Sequence, residues 1–333
     1  MALPISPPYP PMKALLVDTI PAGKEWQYEP KWDGFRCLAF KDGKDVELQA
    51  KSGQSVGRYF PELIFALKEI KTKKFVLDGE IVIPVQGRLS FDALLQRIHP
   101  AESRVQNLSQ DYPANLIVFD LLIFADWKLL GQPLKERRRP LQIFFAQYLA
   151  QNPTFQLSPV THQIDIARRW MAGGRLDGII AKRLDLTYQS GERSGMQKIK
   201  QMHTADCVLG GFRYASAGQA VDSLLLGLYD DGLLHHVGFT STFSQQEKLN
   251  LLQIVEPRIE PPGFTGNAPG GSSRWSTNHS AEWQPLKPKL VVEVQYDHFT
   301  GNRFRNGTRF LRWRPDKSPE ACSIDQVKPA FWH

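Results

Sequence analysis

The sequence predicts an α+β chain in two parts: packed antiparallel sheets with helices over residues 1–202, then a small Greek-key β-barrel over residues 203–333. Three observations lead there. A length of 333 residues suggests about two domains, each large enough for a core of its own. In the first part strand-like and helical runs do not alternate strictly, which favours packed antiparallel sheets over a doubly wound parallel one. Past Lys200 the signals become five strand-like runs and a single helix, the make-up of a small barrel.

In chain order, Trp32–Phe40, Asp45–Ala50, Phe75–Pro84, Asn115–Phe124 and Asp177–Lys182 are expected strands, short, apolar or alternating, and bounded by Gly, Asp or Pro. Helical periodicity marks Phe60–Ile70, Phe91–Ile98 with Ser90 as its cap, Leu134–Leu149 and Ile164–Met171. Lys198–Lys200 reads as a short strand and Gln201–Ala205 as a hinge. Beyond it, Cys207–Tyr214, Ser223–Tyr229, Leu233–Phe239, Leu290–Tyr296 and Thr308–Trp313 are the barrel strands, with a helix at Ser244–Ile254. Glu256–Ser280, rich in Pro, Gly and Ser, is a long loop of the kind that an oligonucleotide-binding (OB) barrel carries between strands.

Composition narrows the class. With 42% hydrophobic and 23% charged residues, the chain reads as a soluble globular protein. Met1–Pro11 has no charged region followed by an apolar run, so it is not a signal peptide, and no stretch approaches the ~20 apolar residues of a membrane helix. Cys37, Cys207 and Cys322 are odd in number and lack metal-ligand spacing, which points to a reducing cytoplasm. A net charge of +7 favours polyanionic partners where it clusters.

Chemistry is suggested first by Glu29-Pro30-Lys31-Trp32-Asp33-Gly34-Phe35-Arg36. On a strand, Lys31 and Asp33 would share a face, placing an amine nucleophile beside a metal-binding acid. A lysine attacks only when unprotonated, so its reference pKa of roughly 10.4 must be lowered by burial or nearby positive charge. Read alone, without the support of other segments, it is a strand running into a turn with a solvated lysine. Glu80 in Leu77-Asp78-Gly79-Glu80 and Asp177 in Leu176-Asp177-Gly178 place two more acids at strand ends, either as turn residues or, with Asp33, as oxygen ligands for magnesium. Lys198 and Lys200 share one strand face, and Phe119 lies in the apolar run Leu116–Leu122. Arg303, Arg305, Arg309, Arg312, Arg314 and Lys317 form a basic cluster interleaved with Phe304, Phe310 and Trp313, its only local counter-charge Asp316; phosphate contact explains that imbalance. Neither a Walker loop nor a dinucleotide fingerprint is present.

Taken in order, these segments resemble the six collinear motifs of the covalent nucleotidyltransferase superfamily. Lys31–Gly34, Leu77–Glu80, Phe119–Leu122, Asp177-Gly178, Lys198–Lys200 and Arg312–Lys317 stand where motifs I, III, IIIa, IV, V and VI would stand. The whole chain is similar to the ATP-dependent DNA ligases, in particular the compact bacterial ligase C type, with Tyr296–Lys317 the most specific stretch.

The resemblance implies a nucleotidyltransferase (adenylation) domain followed by an OB-fold domain, and a three-step reaction. Lys31 would take AMP from ATP, pass it to the 5′-phosphate of a nick in double-stranded DNA, and the 3′-hydroxyl would displace AMP. It further implies that Glu29 and Pro30 border the adenine, Phe119 stacks on it and Ile180 lines its other face. Arg36 and Glu80 would hold the ribose, Lys198 and Lys200 the α-phosphate, and Asp33, Glu80 and Asp177 a magnesium ion, with manganese as the alternative. Arg312, Arg314, Asp316 and Lys317 would orient pyrophosphate. A monomer acting in DNA repair, with a polymerase or primase as candidate partner, completes the expectation.

The chain departs from the family pattern in three places. Ala50-Lys51 stands where Ser-Arg is usual, so a planar fork for the ribose or nick phosphate becomes the point charge of Lys51. Asp177 stands for the usual Glu, and Arg193–Met196 lacks a tryptophan often found there. An RNA ligase, a GTP-using capping enzyme, or a nucleic-acid-binding protein that has lost its chemistry are the alternative readings.

Overall fold

The computed structural model describes residues 3–173, 176–215, 220–270 and 282–327. The chain divides into two compact units, Met1–Gln201 and Met202–His333.

The first unit contains β1 (Leu15–Leu16), β2 (Trp26–Pro30), β3 (Phe35–Asp42), β4 (Asp45–Ala50), α1 (Pro61–Lys68), β5 (Lys74–Val82), β6 (Pro84–Val85) and β7 (Arg88–Leu89). There follow α2 (Phe91–Gln96), α3 (Glu102–Asp111), β8 (Asn115–Phe124), β9 (Trp127–Lys128), α4 (Leu134–Phe144), β10 (Phe155–Leu157), α5 (Ile164–Ala172), β11 (Gly178–Arg183) and β12 (Met196–Lys200). One sheet runs β10-β8-β5-β3-β4 with β9 beside β8, and a second runs β1-β12-β11-β2. Pairing is antiparallel as expected except at two margins, where β10 on β8 and β1 on β12 are parallel.

The larger sheet is buried on both faces, which explains why β8 is apolar almost throughout. On β3, Cys37 and Ala39 face a core shared with α1 and α4, whereas Leu38 and Phe40 meet Met196 and Ile180 of the smaller sheet. The outer face of the smaller sheet, through Tyr28, Ile179 and Ala181, packs on Ala167 and Trp170 of α5.

Local chemistry sets the ends of these elements. Ser90 caps α2, its hydroxyl accepting from the Ala93 N–H. The last carbonyls near α1 are taken by the Lys41 ammonium, which donates to Leu67, Lys68 and Ile70 at 2.7–2.8 Å. The helix expected over Leu134–Leu149 is α-helical only to Phe144, then widens into a π-turn over Phe145–Leu149. The strand expected at Trp32 begins only at Phe35, and β2 precedes it.

The second unit contains β13 (His203–Tyr214), β14 (Val221–Asp230), β15 (Leu233–Thr240), α6 (Gln245–Val255), β16 (Gln284–Pro285), β17 (Val291–Tyr296), β18 (Phe299–Thr300), β19 (Arg303–Phe304) and β20 (Arg309–Trp313). Its main sheet runs β15-β14-β13-β17-β20, with β16 beside β13. Ser244 and Glu247 form a capping box at the start of α6. A closed barrel was expected; among the described residues the sheet stays open. Its edge strands meet only at the isolated bridge Thr240–Thr308, because β20 is five residues long and starts beyond that contact. The expected hinge shrinks too, since His203–Ala205 already pair with Tyr296–Val294. Of the expected loop at Glu256–Ser280, residues 271–280 lie outside the described residues. No helix of the described residues is long and apolar enough to cross a membrane.

Gly178 shows how tightly β11 and β12 are set. Its φ is +146°, and a Cβ there would run into the Ile199 carbonyl on β12. We expect Gly178→Ala to lower the unfolding free energy by about 3 kcal/mol, measured by urea denaturation.

Candidate active site

Lys31 sits just past the end of β2. The ladder between β2 and β11 runs to Pro30 opposite Ile179, and the Lys31 N–H makes one further bond, 3.0 Å to the Gly178 carbonyl. Residues 31–34 then leave the sheet. The strand expected across Trp32 is therefore replaced by a turn, with Gly34 lodged against the Ile81 carbonyl where a Cβ would not fit. Lys31 and Asp33 are thus carried by a turn and do not share a strand face. The Lys31 ammonium donates to Asp177 Oδ2 at 2.6 Å, the lysine side chain 20% exposed and the aspartate 6%. Carboxylate oxygens of Asp33 and Asp177 lie within 4.8 Å of each other; Glu80, expected as a third ligand, is outside that cluster.

Beside this pair opens a cavity of about 470 Å³. Of the residues expected to hold a nucleotide, Glu29, Pro30, Lys31, Arg36, Lys51, Glu80, Phe119, Ile180 and Lys198 line it. Lys200, on the same strand as Lys198, stands outside the lining, as do Asp33 and Asp177. Basic side chains outnumber carboxylates: Lys13, Lys31, Arg36, Lys51, Lys182 and Lys198 against Glu29 and Glu80. The Lys198 ammonium is pushed below the usual lysine range by burial first, then by repulsion from Lys200, Lys51 and Lys31. A polyphosphate relieves that excess.

Phe119 is flanked by two pinned cations. The Arg36 guanidinium lies 4.4 Å from its ring centroid and the Lys182 ammonium 4.5 Å. Arg36 is forked onto Asp78 at 2.5 and 2.6 Å, and Tyr188 donates to the same carboxylate at 2.6 Å. Two of the three guanidinium nitrogens assigned to a ribose are thus already engaged. Burial alone would make Arg36 easier to deprotonate; Asp78 reverses this and holds it charged. Lys182 donates to Glu29 at 2.9 Å, and Glu29 also accepts from Gln27 at 2.8 Å. Asp120, opposite Asp78 in the ladder, is taken by Arg137 at 2.8 and 3.0 Å. Burial pushes the Asp120 carboxyl up, but the Arg137 pair outweighs it and leaves it below the usual range.

Asp78 and Lys182 escaped the sequence reading. Their signal was a charged residue inside an apolar run, Leu77-Asp78 and Ile180-Ala181-Lys182, which marks a buried partner elsewhere in the chain.

In the second unit the basic cluster has more counter-charge than Asp316. Arg314 donates to Asp206 at 2.8 Å and to Asp316 at 2.9 Å, Lys317 to Asp206 at 2.8 Å, and Arg312 to Glu293 at 2.6 Å. Asp206 lies on β13 and Glu293 on β17, remote in sequence but neighbours in the sheet.

Comparison with known proteins bears on these units in turn. Residues 11–200 match the model of the ATP dependent DNA ligase domain, and residues 217–317 that of the ATP dependent DNA ligase C terminal region. The chain belongs to the ATP-dependent DNA ligases. It is 42% identical to DNA ligase C1 of Mycolicibacterium smegmatis over 342 residues, covering 98% of this chain and 96% of that protein. DNA ligase C of Mycobacterium tuberculosis is 41% identical over 346 residues, with the same coverage. A solved structure from a study of Lig E DNA ligases shares 16% identity, covers 92% of this chain and 99% of that one, and has a TM-score of 0.56, a likeness of fold alone.

In this ligase the Glu80 carboxyl changes charge near neutrality. Burial pushes its carboxyl up to about 7, against the opposing pull of Arg36 and Lys31. The folded protein therefore holds this proton more tightly than the unfolded chain does. The stability that comes with it is complete below about pH 4.5 and is lost as pH rises through about 7, some 3 kcal/mol in all. Glu80→Gln keeps the size and removes the titration. Its melting temperature should exceed that of the parent at pH 8.5, and the gap should close at pH 5.

Proposed function

We propose that this ligase seals 3′-hydroxyl/5′-phosphate nicks in duplex DNA through a lysyl-AMP on Lys31 and an adenylated DNA end, in DNA repair. The observation that carries this reading is the Lys31–Asp177 pair, 2.6 Å apart, at the rim of a cavity whose charged lining is six cations against two carboxylates. In the first step Lys31 Nζ forms a bond to the α-phosphorus while the bond to pyrophosphate breaks, and the proton leaving the ammonium has Asp177 as its nearest acceptor. Phosphoryl transfer needs positioning and charge neutralisation more than acid–base machinery, which suits this cavity. Glu29, Pro30, Phe119 and Ile180 hold the adenine, Arg36, Lys51 and Glu80 the ribose, and Lys198 and Lys200 the α-phosphate.

Asp33 and Asp177 offer the hard oxygen donors that magnesium or manganese takes, so the site fits a divalent ion. When bound, such an ion supplies charge neutralisation at the phosphate oxygens. The second unit serves as an OB-fold domain, where Arg312, Arg314, Asp316 and Lys317 orient the pyrophosphate; Arg314 and Lys317 would exchange Asp206 for phosphate. We place the protein in the cytoplasm, a reading supported by three buried free cysteines, and take it to act as a monomer. A repair polymerase or primase is its expected partner.

Incubation with labelled ATP should give a covalent protein–AMP adduct, and Lys31→Ala should reduce it by at least about a thousandfold. An adduct of undiminished yield in that variant would overturn the assignment. Preference for GTP, or for nicked RNA over nicked DNA, would move the substrate class.

A further inference from the structure

Trp32, the residue after the proposed nucleophile, is fixed by a segment far away in sequence. Its indole N–H donates to Ser158 Oγ at 3.0 Å. Ser158 is fully buried, its N–H donates to the Val118 carbonyl at 2.9 Å, and its own carbonyl accepts from Arg138 Nη2 at 2.7 Å. Val118 precedes Phe119. Three residues past Ser158, Thr161 exchanges both backbone hydrogen bonds with Tyr28 on β2, at 2.8 and 3.0 Å. Residues 158–161 therefore clip β8 of the larger sheet to β2 of the smaller one, and hold the turn that carries Lys31 by its indole.

Arg138 adds a second observation. It is 8% exposed, yet its Nε and Nη1 are buried with no hydrogen-bond partner. A buried guanidinium with idle donors destabilises a fold compared with an apolar side chain of similar length. Its Nη2 donates to the Ser158 carbonyl and so positions Ser158, while burial outweighs the attraction of its charge to Glu29 and Asp120.

We propose that Ser158, held by Arg138, is a positioning residue for nucleotidyl transfer: it fixes Trp32, and through Trp32 the approach of Lys31 to the α-phosphate. The proposal rests on Lys31 being the nucleophile. It requires the clip to matter in the steps where a bond to Lys31 forms or breaks. Sealing of a nick that already carries AMP makes no bond to Lys31 and should not depend on it.

Three variants of the full chain test this: Trp32→Phe, which keeps a ring and loses the donor; Ser158→Ala, which loses the acceptor; and Arg138→Met, which loses the guanidinium. Single-turnover formation of the protein–AMP adduct is measured against ATP concentration, together with ligation of a pre-adenylated nicked duplex and thermal melting. The maximal adduct-forming rate should fall about 10- to 100-fold in each, since a displacement on the order of 1 Å suffices for that loss. Half-saturating ATP and sealing of the pre-adenylated nick should stay within about twofold of the parent. The Trp32→Phe/Ser158→Ala double variant should be no slower than the slower single one, and Arg138→Met should melt no lower than the parent.

Wild-type adduct formation in folded Trp32→Phe and Ser158→Ala would overturn the proposal. So would a parallel loss of every step with lowered melting, the mark of a merely structural clip. A parent protein that forms no adduct would instead overturn the nucleotidyl-transfer reading itself, and the two failures are distinct.

Discussion

The proposed active site depends on where one backbone ladder stops. β2 and β11 pair up to Pro30 and Ile179, and a last bond from the Lys31 N–H reaches the Gly178 carbonyl. That bond fixes the Cα of Lys31 beside the end of β11, so the next side chain along each strand, Lys31 and Asp177, must meet. Gly178 allows the approach because it has no Cβ to strike β12. The ion pair is thus a product of sheet register, and a slip of one residue would turn both groups to the wrong face.

Around it, charges fall into two kinds. Arg36 and Lys182 are tied to Asp78 and Glu29, each carboxylate 2% exposed or less, and so act as fixed walls around Phe119. Lys198 sits instead among like charges, where burial and neighbours weaken its hold on its proton. The first kind sets geometry; the second leaves an electrostatic debt that an incoming polyanion settles. Pre-organised charge of this sort costs no reorganisation when the reaction occurs.

Much of this was legible in the sequence, and the misses share a cause. Asp45–Ala50 and Asn115–Phe124 were placed to the residue, because alternation or a continuous apolar run reports burial directly. β2 was missed because Gln27 and Glu29 look exposed; both are buried, with Lys182, 153 positions from Glu29, as a partner of the carboxylate. α3 was missed because its buried residues are only Val105 and Ser109, too few for a stripe. Nine of the nineteen cavity-lining residues came from the family resemblance, whereas Asp78, Lys182, Asp206 and Glu293 depend on neighbours that only the sheets bring together. The turn at Lys31 was misread as strand because Trp32 and Phe35 carry strand propensity on either side of an Asp-Gly pair that overrides it.

Asp78 and Asp120 face each other across β5 and β8, each matched by its own arginine, with Tyr188 bonded to one carboxylate and its ring 5.7 Å from the arginine of the other. Removing one partner of the Asp120–Arg137 pair strands an ion in the interior, at a loss of roughly 3–5 kcal/mol. No single substitution therefore leads smoothly from this arrangement to an apolar one. The charges can be exchanged only in pairs, so a descendant lineage would inherit them as a block, and a homologue lacking one should be found to lack its mate.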